Sequence, residues 1–327
     1  MVAALLASWL CGAAAIASAD EPSRSTMFDP PFPDLDISEA VRIHAQTLIA
    51  PDASLGSGGV DLVRPEFSLR ATAPANDRLV LRIAIRATES DYTFHGDAWG
   101  GPVPFPFGTF PDADRLIGHN LDLHAVRMAF EGAYRVSDHT GWFAKDEQWG
   151  LVGALSVGSR WEDSAFSSGL SGGGALGFGY EIPEKLRVAL GVSLQTPLDH
   201  GDLDANPFFS LRWRPIESVT VRSRELGLQV EYRLIPMFEF HVTGFRSSDR
   251  YRLRDRLDPL GDLSFRDRYV RLGAGVDCHL ANWLRLGVEA GAITDRSLRI
   301  TEEDLGTLVS RRASPSGYVE LRMELRL

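Results

Sequence analysis

The sequence LGLQVEYRL, from Leu226 to Leu234, alternates strictly between two kinds of side chain. One face of an extended strand would carry Leu226, Leu228, Val230, Tyr232 and Leu234, and the other face Gly227, Gln229, Glu231 and Arg233. A period of two along the chain indicates a β-strand. Roughly nine to eleven tilted residues are enough for a strand to cross a bilayer. The stretch therefore predicts a membrane-crossing strand with one lipid-facing and one polar face.

The same alternation recurs along the chain. It is clear over 79–86 (LVLRIAIR), over 126–136 and over 186–193. It ends in 318–327, where apolar side chains at odd positions alternate with Glu320, Arg322, Glu324 and Arg326. Strands that are apolar outside and polar inside are typical of an antiparallel transmembrane β-barrel. We therefore predict an all-β barrel.

The connections between these strands fall into two alternating classes. Tight turns are predicted at 74–77, 182–185, 214–217, 234–237 and 280–283, and long connections near 50–59, 89–120, 196–205, 247–266 and 294–314. Bacterial outer-membrane barrels place short turns in the periplasm and long loops outside the cell. With both termini in the periplasm the strand number is even. It is fourteen if 218–223 (SVTVRS) forms a strand, and twelve if it does not.

Aromatic side chains support this orientation. They collect at the strand ends beside the tight turns, at Tyr134, Trp149, Tyr180, Trp213, Tyr232, Phe238 and Trp283. Trp161 marks the opposite end. Aromatic rings prefer the membrane interface, so this arrangement predicts an aromatic girdle.

The N-terminal region predicts export. Residues 1–19 form an uncharged apolar run that ends in small residues, as a secretory signal peptide does. Residues 20–38 are a Pro-rich lead-in, and 39–327 are assigned to the barrel. The predicted location is the bacterial outer membrane.

Composition and motifs argue against several other classes of protein. A net charge of −10 disfavours nucleic acid as a partner. The chain has no H-E-x-x-H zinc motif. Residues 169–173 (GLSGG) match G-x-S-x-G but run into a glycine-rich segment without the following helix that a nucleophile elbow needs, and the glycines at 172–174 lack a phosphate-loop lysine. His44, His241 and His279 face inward in the predicted register, so a lipid-modifying enzyme stays a lesser alternative. We predict no catalytic residue, no metal and no cofactor.

The polar faces supply a predicted lining of the lumen. It consists of Arg82, Arg86, Arg127, Glu131, Arg135, Arg187, Glu231, Arg233, Arg271, Asp277, Arg285, Glu289 and Arg322. Opposite charges on neighbouring strands would pair and stiffen the wall. Alternatively, an excess of arginine would attract anionic solutes, because rings of charge set pore selectivity. The aromatic insert at 89–120 is the candidate plug or gate.

A second arginine-rich segment lies in a predicted outer loop. Arg250, Arg252 and Arg254 share one face of an extended chain, with Arg266 and Arg268 nearby. Such a cluster could clamp lipopolysaccharide phosphates at the rim. The competing interpretation is a solvated strand extension whose arginines pair with carboxylates.

Several stretches resemble a family of uncharacterised bacterial (planctomycete-type) outer-membrane barrels, known only as a domain of unknown function. They are FPDADRLIGHNLDL (110–123), NPFFSLRWRP (206–215), LQVEYRLIPMFEF (228–240), and RYRLRD before DRYVRLGAGVD (250–255 and 267–277). The resemblance implies an outer-membrane barrel and brings no catalytic residues.

These observations lead to one expected role and one alternative. The expected role is a porin-like passive channel for small, in particular anionic, solutes. The alternative is a closed structural or adhesion barrel that acts through its extracellular loops. The expected partners are outer-membrane lipid, the barrel-assembly machinery and small solutes, and the sequence leaves the oligomeric state open.

Overall fold

The computed structural model describes residues 41–99, 103–105, 108–110, 118–137, 147–163, 165–196, 203–224, 226–253, 263–302 and 306–327. The predicted signal peptide and Pro-rich lead-in lie outside these residues. None of the described residues forms a helix long and apolar enough to span a membrane.

The described residues form seventeen β-strands. They are β1 (Val41–Leu55), β2 (Gly58–Asn76), β3 (Leu79–His95), β4 (Val103–Phe105), β5 (Gly108–Phe110), β6 (Asn120–Ser137), β7 (Gln148–Glu162), β8 (Leu170–Ile182), β9 (Leu186–Gln195), β10 (Asp204–Ile216), β11 (Val219–Arg224), β12 (Leu226–Ile235), β13 (Phe238–Arg252), β14 (Leu263–Ala281), β15 (Leu284–Glu302), β16 (Gly306–Ala313) and β17 (Ser316–Arg326).

Fourteen of these strands close into an antiparallel barrel. Each pairs with the next along the chain, and β17 pairs with both β15 and β1 to close the ring. The segment predicted at 218–223 is β11, so fourteen strands are confirmed and twelve are wrong. Of the remaining strands, β4 and β5 form a separate hairpin, and β16 lies between β15 and β1 above the start of β17.

The strand faces follow the predicted alternation. In β12, Leu226, Tyr232 and Leu234 are about half exposed on the outside, whereas Gln229 and Glu231 are buried inside. An apolar outer band around a closed barrel leaves no unpaired strand edge in lipid. This is the architecture of a bacterial outer-membrane barrel.

The five tight turns are confirmed. Each predicted turn joins two consecutive strands through two or three residues, for example Asp77-Arg78 between β2 and β3. Trp213, Tyr232 and Trp283 lie exposed at this end, and Trp149 packs on Tyr180 with ring centroids 4.8 Å apart. By the usual rule for outer-membrane barrels this end is periplasmic.

Three predicted long connections are wrong in large part. The connection near 50–59 is a two-residue turn, because β1 continues to Leu55 and β2 begins at Gly58. β13 continues to Arg252 and β15 to Glu302, so much of 247–266 and 294–314 is also strand. Part of the insert at 89–120 is strand too, since β3 runs to His95. The strands extend because their inner faces become apolar beyond the membrane and bury each other.

These extensions form a narrower barrel on top of the wide one. Pairing of β12 with β13 ends at Leu226 and Arg246, and β13 goes on to meet β7 through a bridge between Arg252 and Trp161. The ring above the membrane therefore runs through β13, β14, β15, β16, β1, β2, β3, β6 and β7, and it omits β8–β12. We call it the upper barrel.

A hydrophobic core fills the upper barrel. Its buried members include Leu48, Leu62, Tyr92, Phe94, Trp99, Leu121, Leu123, Tyr251, Phe265, Ile293, Leu298 and Ile300. Trp99, from the insert predicted as a plug, packs edge-on against Phe94 and Phe265. The described part of the insert thus contributes to this core.

Candidate functional site

The wide barrel encloses the candidate site. The thirteen side chains predicted to line the lumen all lie on the inner faces of the strands in the observed register. Several meet across neighbouring strands, such as Arg82 with Glu131 at 3.4 Å and Arg187 with Glu181 at 2.6 Å. The structure therefore brings these residues together around one polar interior.

Arg271 is the centre of a buried ion-pair cluster. Its Nη2 donates to Glu289 Oε1 at 2.5 Å, and its Nη1 donates to Glu320 Oε2 at 2.6 Å. Both carboxylates are fully buried. Tyr318 also donates its hydroxyl to Glu289 at 2.5 Å. These charge-assisted bonds join β14, β15 and β17 on one wall.

His241 extends the same cluster toward the periplasm. Its Nδ1 lies 3.0 Å from Asp277, and its Nε2 lies 3.0 Å from Glu289. Arg285 pairs with Asp277 at 2.8 Å and also with Glu239. Each ring nitrogen of His241 therefore has a carboxylate neighbour on this wall, and Arg322 Nη2 also lies 2.5 Å from Nε2.

The opposite wall is lined by small residues. Inward glycines on β8 and β9, Gly177 and Gly191, face each other in register. The ring of Phe208 lies directly over them, since a Cβ added at Gly191 would come within 2.5 Å of it. These glycines allow an aromatic ring to lie flat inside the barrel.

This contact predicts that Gly191→Ala destabilises the protein by about 1–3 kcal/mol, because a well-packed contact is overfilled. The added Cβ would meet both the Leu176 carbonyl and the Phe208 ring. Gly153→Ala is the matched control, because its Cβ would have 3.6 Å to the nearest atom. Urea unfolding of barrels refolded in lipid vesicles measures both variants. Equal midpoints would contradict the prediction.

A cavity of about 100 Å³ lies at mid-height in the lumen. Five arginines and three carboxylates line it, a net charge of +2: Arg64, Arg86, Arg127, Arg160 and Arg271, with Glu66, Asp249 and Glu320. Gln46, Thr88 and Ser247 add neutral polar groups. The cavity therefore offers a confined, positively charged and hydrogen-bonding environment.

Individual contacts show how this charge is held. Arg64 pairs with Asp249 at 2.8 Å and donates to the hydroxyls of Tyr92 and Tyr269. Arg86 pairs with Glu66 at 2.6 Å, yet its side chain is 46% exposed to the lumen. Arg160 comes only to 3.6 Å from Asp249, and its Nη1 is buried with no hydrogen-bond partner in the part of the chain that the structure describes.

The core of the upper barrel forms the roof of this cavity. Leu48, Tyr251 and Tyr269 belong to that core and also line the cavity. This roof does not follow from the alternation of residues that predicts the membrane strands. The sequence does contain one signal for it. On the inner face of β1 the side chains change from polar, at His44 and Gln46, to apolar, at Leu48 and Ala50.

Two of the three predicted rim residues lie on the outer face of the barrel. Arg250 and Arg252 are buried there, above the last pairing of β13 with β12. Arg254 lies outside the described residues. No group of three or more metal-binding side chains comes together in the described part of the chain.

The chain is similar to solved structures of outer-membrane channels and porins, at low sequence identity. No protein-family model and no curated protein matches the chain. An outer membrane channel from Pseudomonas putida F1 is similar with 11% identity and a TM-score of 0.42, covering 88% of this chain and 96% of that one. KdgM porin, in complex with disordered oligogalacturonate, has 7% identity and a TM-score of 0.35 over 88% and 99%. NanC porin has 8% identity and a TM-score of 0.33 over 87% and 100%.

Proposed function

We propose that this protein is a porin-like passive channel of the bacterial outer membrane that favours small anionic solutes. The observation that carries the proposal is the mid-height cavity with its five arginines and three carboxylates. The whole chain has a net charge of −10, so this positive lining is a local feature of the lumen. Side-chain charge in a confined pore selects ions of the opposite sign.

The proposed path avoids the core of the upper barrel. That core lies above the cavity, but strands β8–β12 are not part of the upper barrel. The wide barrel is therefore uncovered by the upper ring on the side of β8–β12. We infer that solutes enter there, beside the upper barrel, and reach the cavity from the side.

The test is conductance of the refolded full chain in a planar bilayer, with reversal potentials in a salt gradient. We expect steady openings that favour anions. Replacing Arg127 and Arg160 with glutamate changes the charge of the cavity lining from +2 to −2, and it should turn the preference toward cations. Arg78→Glu, in a periplasmic turn, is the control and should keep the anion preference.

One observation favours the alternative of a closed structural or adhesion barrel. The upper core fills the space above the cavity with packed apolar side chains. A barrel closed in this way would show the heat-modifiable migration of a folded barrel but no conductance. That outcome would contradict the channel, and the extracellular surface would then be the functional part.

A further inference from the structure

Arginines line up across the outer face of the upper barrel. In the strand register, Arg250 lies opposite Arg266, and Arg266 lies opposite Arg299. The neighbouring row on the same face contains Arg268 and Arg312, which both lie opposite Ser297. We call Arg266, Arg268, Arg299 and Arg312 the arginine face.

Like charges directly opposite each other destabilise a sheet unless something neutralises them. Arg266 and Arg299 form no ion pair with any residue that the structure describes. Arg266 donates its Nε to Ser248 at 3.0 Å, and the Nε of Arg299 is buried without a hydrogen-bond partner among the described residues. The terminal nitrogens of both guanidinium groups have no carboxylate partner in the described part of the chain, so these nitrogens can donate to an external acceptor.

The local electrostatics reflect this crowding. Burial and the nearby Arg266 and Arg252 lower the pKa of Arg250 to about 10. Burial and Arg299 also lower the pKa of Arg266 below its ordinary value. Both effects mean that positive charge is costly here, and a bound anion would offset that cost.

The position of the arginine face along the membrane normal indicates which anion it would meet. Leu272, on the same outer side of β14, is 45% exposed in the apolar band. Arg268 and Arg266 precede Leu272 by four and six residues along the strand, toward its extracellular end. With about 3.3 Å per residue and a tilt of about 40°, they lie roughly 10 and 15 Å further along the membrane normal. The polar headgroup layer occupies that region.

We propose that the arginine face binds the phosphorylated headgroups of lipid in the outer leaflet. Guanidinium groups suit this ligand because they hold phosphate oxygens through two parallel hydrogen bonds. The ligand chemistry is a phosphate monoester attached to a lipid. This binding is independent of whether the lumen conducts.

The test is binding of lipid A to the full chain, folded in detergent micelles and titrated with the fluorescently labelled lipid. The variant is Arg266→Gln with Arg299→Gln. We expect its affinity for bisphosphorylated lipid A to fall at least about tenfold, equivalent to about 1.4 kcal/mol. Arg78→Gln with Arg214→Gln removes the same charge at the periplasmic end and should stay within about twofold of the parent protein.

Two further binding experiments distinguish lipid-bound phosphate from free inorganic phosphate. Dephosphorylated lipid A should bind weakly to the parent protein, and millimolar inorganic phosphate should not displace the phosphorylated lipid. Equal binding of the two lipids, or equal loss in both double variants, would overturn the proposal. Displacement by inorganic phosphate would also overturn it and would assign the face to soluble anions. Arg312→Gln, at an exposed position, repeats the test if the double variant does not fold.

Discussion

Replacing Arg271 with methionine should lower the free energy of unfolding by about 3–5 kcal/mol, the cost of breaking a buried ion pair. Arg271 holds Glu289 and Glu320, whose side chains are fully buried. Without the guanidinium group, two carboxylates lose their shared cation inside the wall. Urea unfolding of the barrel refolded in lipid vesicles measures the change.

Two further variants make this test specific. Arg70→Met removes an exposed arginine from the inner face of β2 and should change stability by about 1 kcal/mol or less. Combining Arg271→Met with Glu289→Gln and Glu320→Gln removes the charges together and should recover much of the lost stability, because no charge stays uncompensated at these three positions. If Arg271→Met unfolds at the same urea concentration as the parent protein, the cluster does not stabilise the barrel.

Replacing Trp99 with alanine should cost about 3–5 kcal/mol, because it leaves a large cavity in a packed core. Trp99 is fully buried, with its ring centroid 5.3 Å from that of Phe94 and 6.4 Å from that of Phe265. The effect should be concentrated in the upper barrel, which has its own core above the membrane. Limited trypsin digestion should therefore cut the extensions of β13–β15 faster, while the heat-modifiable membrane barrel persists.

Trp99→Phe is the matched control. It keeps most of the apolar volume, and it removes an indole Nε1 that is buried without a hydrogen-bond partner in the described structure. Its cost should therefore be well below that of the alanine variant. Equal sensitivity of both variants to trypsin would show that the ring does not hold the upper barrel together.

The membrane part of the fold was predictable from single strands. Alternation in stretches such as 226–234 and 318–327 assigns each side chain to lipid or lumen, because a strand places successive side chains on opposite faces. Turn residues such as Asp77-Arg78 then set the strand ends. The register needs no distant information, since a slip of one residue would turn every apolar side chain inward.

The upper barrel was not predictable in the same way. Residues 50–55 and 247–252 lack the lipid-facing apolar pattern, so their sequence predicts loops. Their inward side chains find apolar partners far away in the sequence, as Tyr251 does in one core with Leu62. Such packing depends on which strands extend beyond the membrane together, and no local pattern contains that information.

The same distinction between local pattern and tertiary packing applies to the candidate site. The sequence alone determined that the charged side chains of alternating strands face the interior, because the lipid accepts only the apolar faces. Only the tertiary structure decided which charges meet, that Arg271 lies between Glu289 and Glu320, and that five arginines share one cavity. It also decided that β13 separates from β12 and meets β7. This arrangement places the core of the upper barrel above the cavity and leaves β8–β12 outside the upper barrel. The physical reason is that the facing direction of a side chain is a property of its own strand, whereas contacts across a barrel depend on closure of the whole ring.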